Sequence, residues 1–245
     1  MIHVGSREYY EAVGALIAAH EARGGLVLYE GLGSLSEVEI AELTVQERAV
    51  YRALAPLHVL YRSLAGSLGL VFQGEALRYD RCHWIHADLP LRELVRRWAE
   101  SGAPLLPFGV AGSPEPAMPE GRLARALGVL MLLQTPFLLT LLRSLRARIP
   151  TLSKLAQLLV SNRNRAALDA FDAADPSRDS LILYGAGHMP GIREGLERRG
   201  FSGVGERWLT AYVYVFPWAR LVRSQPSRSG DMDRDPSPST DGGRP

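Results

Sequence analysis

Cysteine and lysine are nearly missing from this chain, with Cys82 and Lys154 the only ones. A lone cysteine excludes an intrachain disulfide and a cysteine-built zinc cage. Arginine takes the place of lysine but gathers on no one element. With a formal net charge of only +2, nothing argues for nucleic acid as a partner. The first residues hold no basic stretch followed by an apolar one, so no signal peptide is expected and the cytoplasm is the expected compartment. Long apolar runs are also scarce. The nearest approach is 126–142, uncharged but carrying Gln134, Thr135 and Pro136, and it falls short of the roughly 20 apolar residues a bilayer span takes. We expect a bent core helix there, or two short helices in a cap. Peripheral membrane contact or a dimer face is the second reading, and a span the weakest. No internal repeat is found, and the sequence leaves the oligomeric state open.

What is present is the patterning of one α/β domain with a central, mostly parallel sheet. Met1–Val4 reads as the end of a strand. Ser6 can cap a helix to about Glu21 that turns Tyr9, Val13 and Leu16 or Ile17 to one side, and Gly24-Gly25 ends it. The apolar run Leu26–Tyr29 is strand-like and closed by Glu30-Gly31, so the opening strand, helix and strand begin a parallel sheet. Thr44-Val45-Gln46-Glu47 fits a capping box, with a helix after it toward Leu68 that is interrupted or bent at Pro56. Val71–Gln73 is a short strand, Leu91–Ala99 a helix, and 101–121 a loop with five prolines and four glycines. Helices over Leu152–Val160 and Ala166–Ala173 lead to the strand Ser180–Tyr184, a Gly185-Ala186-Gly187-His188 turn, and a helix over Gly191–Arg199. Trp208–Phe216 alternates as a further strand. We expect residues 1–222 to be the folded domain, with a helical insertion over about 36–175. Residues 223–245 are too polar to offset their ordering entropy and should form a disordered tail.

Chemistry gathers where strands end. Glycines around Ala186 let the backbone turn sharply and present the His188 imidazole at the carboxyl end of a strand, the edge where open α/β sheets form sites. His3 and Glu30 hold the equivalent place on two other expected strands. Two imidazoles and a carboxylate can ligate a divalent metal, with Zn²⁺, Mn²⁺ and Co²⁺ all suited, or they can act without metal as general acid and base. Arg163 and Asn164, in a polar turn between helical runs, are expected to bind substrate. Arg163's planar fork suits a carboxylate or a developing oxyanion. The stretch Cys82-His83-Trp84-Ile85-His86-Ala87-Asp88 meets no standard zinc spacing and is expected to line the pocket as a loop. His20 and His58 fall within helices and are expected to be structural or exposed.

These residues resemble one family. His3-Val4-Gly5-Ser6 with Tyr9-Tyr10, the strand ending Leu28-Tyr29-Glu30-Gly31, the pair Arg163-Asn164, and Tyr184-Gly185-Ala186-Gly187-His188-Met189-Pro190-Gly191 look like the TraB/GumN family, which includes the TIKI proteases. That family carries two GxxH motifs, an acidic residue between them and an Arg-Asn element before the second. The resemblance runs over residues 1–217 in order and approximate spacing. It implies His188 as the second-motif histidine, Glu30 as the acidic residue and His3 as the first-motif histidine. The first motif's glycine would fall one position before Met1, so an upstream start is expected. Because TIKI members are regarded as metal-dependent proteases, the resemblance implies metal-dependent hydrolysis of a peptide or amide bond. A binding protein that captures a peptide or small ligand without turnover, and a metal-free esterase-like enzyme, are the alternatives.

Overall fold

The computed structural model describes residues 1–55, 57–79, 81–103, 153–154 and 156–213. Met1–Tyr212 is one compact unit, and Val213–Pro245 a second in which Val213 alone is described. The apolar run 126–142, the tail 223–245 and nearly all of the 101–121 loop lie outside the described residues. Among those described, no helix is long and apolar enough to cross a membrane.

A three-stranded parallel sheet orders the unit. Its centre is β2 (Leu26–Tyr29), flanked by β4 (Ile85–His86) and β5 (Ser180–Leu183). Leu26, Val27 and Leu28 are all buried, as a central strand covered on both faces demands. The register sets Tyr29 opposite both His86 and Leu183. The three chains therefore leave the sheet side by side, at Glu30, Ala87 and Tyr184. An α/β domain with parallel strands is thus present, with two corrections to its layout. First, β1 (Val4–Gly5) does not join this sheet but pairs antiparallel with β3 (Val71–Phe72). A two-residue strand gives no periodicity from which a partner could be chosen. Second, the stretch between β2 and β5 contributes not only the short strand expected near Val71, β3, but also the sheet strand β4.

The helices follow their caps. Ser6 Oγ accepts from Tyr9 N to start α1 (Arg7–Glu21), which buries Tyr9, Tyr10, Val13 and Ile17 against Val27, Leu183 and Trp84, while Leu16 faces outward. His20, expected to be structural or exposed, is buried and bonds the Leu26 carbonyl at 2.9 Å; His58 is exposed. Capping boxes open α2 (Glu37–Ala41) and α3 (Val45–Leu54), and α4 (Leu57–Leu68) follows as a separate helix. Gln73 starts α5 (Gln73–Ala76) rather than ending a strand. A second core packs Val50 and Leu54 of α3 against Leu94, Val95 and Trp98 of α6 (Leu91–Ser101).

The polar turn expected around 161–165 is helical instead. A π turn over Gln157–Ser161 runs directly into α7 (Asn162–Ala173). Residue types alone did not show this because the break was read from polarity, which here reflects burial among charged partners. α8 (Met189–Glu197) closes on α7, and Gly195 permits the contact: a Cβ there would sit 2.2 Å from Leu168 Cδ1. Of the expected strand Trp208–Phe216, residues 208–213 form no strand. The segment instead offers the Ala211 carbonyl to Ser6 N at 2.6 Å, with Leu209 and Ala211 on the core and Trp208 85% exposed.

Candidate functional site

The carboxyl edge of the parallel sheet collects buried polar residues from several elements, and four of them group around the Glu30 carboxylate and the His188 ring. Glu30 follows β2, His188 ends the turn after β5, and Arg163 with Asn164 stands in the first turn of α7. The turn after β5 is shaped around Glu30. Gly185 N donates to Glu30 Oε2 at 2.5 Å, and a Cβ on Gly185 would lie 3.0 Å from that oxygen, so glycine permits the approach. Arg163 Nη2 donates to Glu30 Oε1 at 2.7 Å. His188 Nε2 lies 3.6 Å from the same oxygen. On the far side of the imidazole, Nδ1 faces Asn164 Oδ1 at 2.6 Å, while Asn164 Nδ2 is 3.4 Å from the His188 carbonyl oxygen. The Tyr184 ring meets the imidazole edge-on, with centroids 5.3 Å apart.

His3 arrives from the start of the chain. The Met1 carbonyl accepts from Ala186 N at 2.6 Å and the His3 carbonyl from Gln73 N at 2.8 Å, which lays the first residues between the Gly185–His188 turn and α5. His3 Nδ1 faces Gln73 Oε1 at 3.1 Å, and its ring packs on Tyr61 at 4.9 Å. It lies within electrostatic reach of Glu30, Arg163 and His188. Among the described residues, however, no three His, Cys, Asp or Glu side chains form a metal-ligating group. His188 and Glu30 form a close pair, and His3 stands apart from it.

Burial sets the protonation states. It is the chief reason that His188 is pushed down from its ordinary 6.5 to about 4, with Arg163 adding to the effect and Glu30 opposing it. Burial likewise lowers His3, again against Glu30. Both imidazoles are neutral near pH 7. For Arg163 burial opposes the charge, but Asp88 and Glu30 more than offset it and hold its pKa above the ordinary value.

Asp88 is the residue that sequence reasoning missed. It was assigned to a pocket-lining loop, yet its side chain is 0% exposed and grips Arg163 through two bonds, Nε to Oδ1 at 2.9 Å and Nη2 to Oδ2 at 2.6 Å. Gly31 N and Leu89 N fill its remaining positions at 3.0 and 2.7 Å. It lies two residues beyond a sheet strand, one further along than Glu30 after β2, and the signal was lost because β4 spans only two residues. The rest of the stretch disperses. His83 and Trp84 bond Glu21, His86 donates to the Gly31 carbonyl, and Cys82 is exposed.

Compared with known proteins, the chain matches no family model, no curated protein and no solved structure.

Proposed function

We propose that this chain is a metal-dependent hydrolase of peptide or amide bonds, with His188, Glu30 and His3 as the ligands of a divalent ion, Zn²⁺, Mn²⁺ or Co²⁺, and with a cytoplasmic setting. The observation that carries the proposal is the 3.6 Å between His188 Nε2 and Glu30 Oε1. Two ligands on one tetrahedral ion with bonds of ~2.0–2.1 Å stand about 3.4 Å apart, so the pair is spaced as neighbours in one coordination shell. A neutral imidazole and a carboxylate are also the donors such an ion takes. His3 would supply the third donor, completing a set of which this structure brings two together. The resemblance to the TraB/GumN family, resting on the second histidine motif, the acidic residue, the Arg163-Asn164 pair and the position of His3, supports the same assignment.

A divalent ion bound there would lower the pKa of a water and polarise a scissile carbonyl. The protein's own share is orientation and charge. Gly185 N and Arg163 hold the two oxygens of Glu30, and Asp88 fixes the plane of Arg163. That fixed cation would stabilise negative charge developing on a substrate beside Glu30. Burial keeps His188 unprotonated and able to donate its lone pair.

One observation favours a second reading, metal-free general-base catalysis of an esterase kind. Both oxygens of Glu30 already accept hydrogen bonds, so Glu30 and a neutral His188 are a complete pair without an ion. Calorimetric titration of the purified chain with Zn²⁺, Mn²⁺ and Co²⁺, followed by an ester and peptide panel, separates the two. Stoichiometric binding that is lost in His188→Ala and Glu30→Gln, with metal-dependent turnover, is the expected result. Turnover without metal selects the second reading. Absence of both binding and turnover overturns the hydrolase assignment and leaves a ligand-binding protein.

A further inference from the structure

We propose that Asn164 is a positioning residue whose side-chain amide locks His188 into the Nδ1–H tautomer, leaving Nε2 bare on the Glu30 side of the ring. The role rests on reading His188 as ligand or base, but the tautomer does not. One contact fixes the amide's orientation. The His188 carbonyl oxygen can only accept, so the group 3.4 Å from it must be the Asn164 NH₂. That turns Oδ1 toward His188 Nδ1 at 2.6 Å, and an oxygen so placed requires a proton on that nitrogen. A neutral imidazole carries one N–H, so Nε2 keeps its lone pair, 3.6 Å from Glu30 Oε1.

The space for the amide is provided by the helix that follows. A Cβ at Gly191 would stand 2.2 Å from Asn164 Nδ2, so any larger residue would force the amide aside. Tyr184, edge-on to the imidazole, limits rotation of the ring. Asn164 is buried, and both polar ends of its amide are used on His188. This replaces the substrate contact expected of it from the sequence with an action through the histidine, the usual task of a residue behind a ligating or basic imidazole.

The test is long-range ¹H–¹⁵N correlation of the histidine rings in the full chain at pH 7. The wild type should show His188 protonated at Nδ1 and bare at Nε2. Asn164→Leu, which cannot accept, should shift His188 toward the Nε2–H form or a mixture, and Asn164→Asp, which accepts again, should restore Nδ1–H. Where Asn164→Leu does not fold, Gly191→Ala displaces the amide and should give the same mixture. A wild-type His188 protonated at Nε2, or an Nδ1–H form that persists in Asn164→Leu or Gly191→Ala, overturns the proposal. Where turnover is found, Asn164→Leu should lower kcat roughly 10- to 100-fold with KM unchanged. A raised KM with kcat intact would instead make Asn164 a substrate contact. If no metal binds and no substrate turns over, the hydrolase reading falls, while the tautomer still decides the role of Asn164.

Discussion

Asp88 and Arg163, 75 residues apart in the chain, meet side-on through two hydrogen bonds of 2.9 and 2.6 Å in the protein interior. The pair joins the end of β4 to the start of α7, and Arg163 extends the link to Glu30 after β2. The site edge is thereby tied at three points by one guanidinium.

Breaking that tie from one side should be costly. Asp88→Asn keeps the shape but turns an NH₂ toward donors at Gly31 or Arg163, and it leaves Arg163 with Glu30 as its remaining anion. A loss of about 3–5 kcal/mol is expected on removing one partner of a buried pair, read from the urea unfolding midpoint. The double variant Asp88→Leu/Arg163→Met should lose less than the sum of its single variants, because neither partner is left stranded. Additive losses would show that the two residues act independently.

Acid should unfold the protein through its histidines. The folded-state value for His188, about 4, lies below the ordinary 6.5. Between those pH values the unfolded chain takes up a proton that the folded chain refuses. The stabilisation is therefore fully present above about pH 6.5 and is lost as pH falls toward 4, on the order of 3 kcal/mol in all. His3, lowered for the same reason, adds a loss of the same sign. Urea unfolding at pH 7 and pH 4.5 measures this, and His188→Gln should flatten the dependence. A profile unchanged by that variant would contradict the burial of a neutral imidazole.

Two glycines around α1 should respond to alanine in opposite directions. A Cβ at Gly25 would fall 2.1 Å from His20 Nε2, the atom that bonds the Leu26 carbonyl at the start of β2. Gly25→Ala should destabilise by about 1–3 kcal/mol through overpacking alone, with more lost if the His20 bond breaks. Gly14 lies within α1 with nothing inside 4 Å of a built Cβ. Gly14→Ala should therefore gain about 0.5–1 kcal/mol from helix propensity. Thermal melts of the two variants should move apart, and a shared direction would refute the packing argument.

Legibility followed the length of each element. The helix capped by Ser6, the buried run Leu26–Tyr29 and the strand before Gly185 were readable because each carries enough residues for a period or an apolar run to show. Placing Glu30 and His188 together followed from those two strands, which proved to be neighbours in register. What escaped was set by partners distant in sequence. β1 and β4 are two residues long and exist through their pairings, so the antiparallel β1–β3 ribbon and the site role of Asp88 had no local signature. The run Ser161–Arg165 looked like a polar turn because the partners of its two buried residues, Arg163 and Asn164, are Asp88, Glu30 and His188, none of them near it in the chain.

The π turn over Gln157–Ser161 makes the site dependent on chain length as well as on residue type. Asn162 N bonds back to the Gln157 carbonyl, five residues away, so this turn holds one residue more than an α-helical ladder would. Successive helical residues differ in azimuth by about 100°, so losing a single residue here would turn Arg163 and Asn164 away from Glu30 and His188 unless the preceding segment rewound. Sequence drift can be absorbed elsewhere in this helix one side chain at a time. At these five positions a change of length by one would separate the two halves of the site, even with every site residue still present.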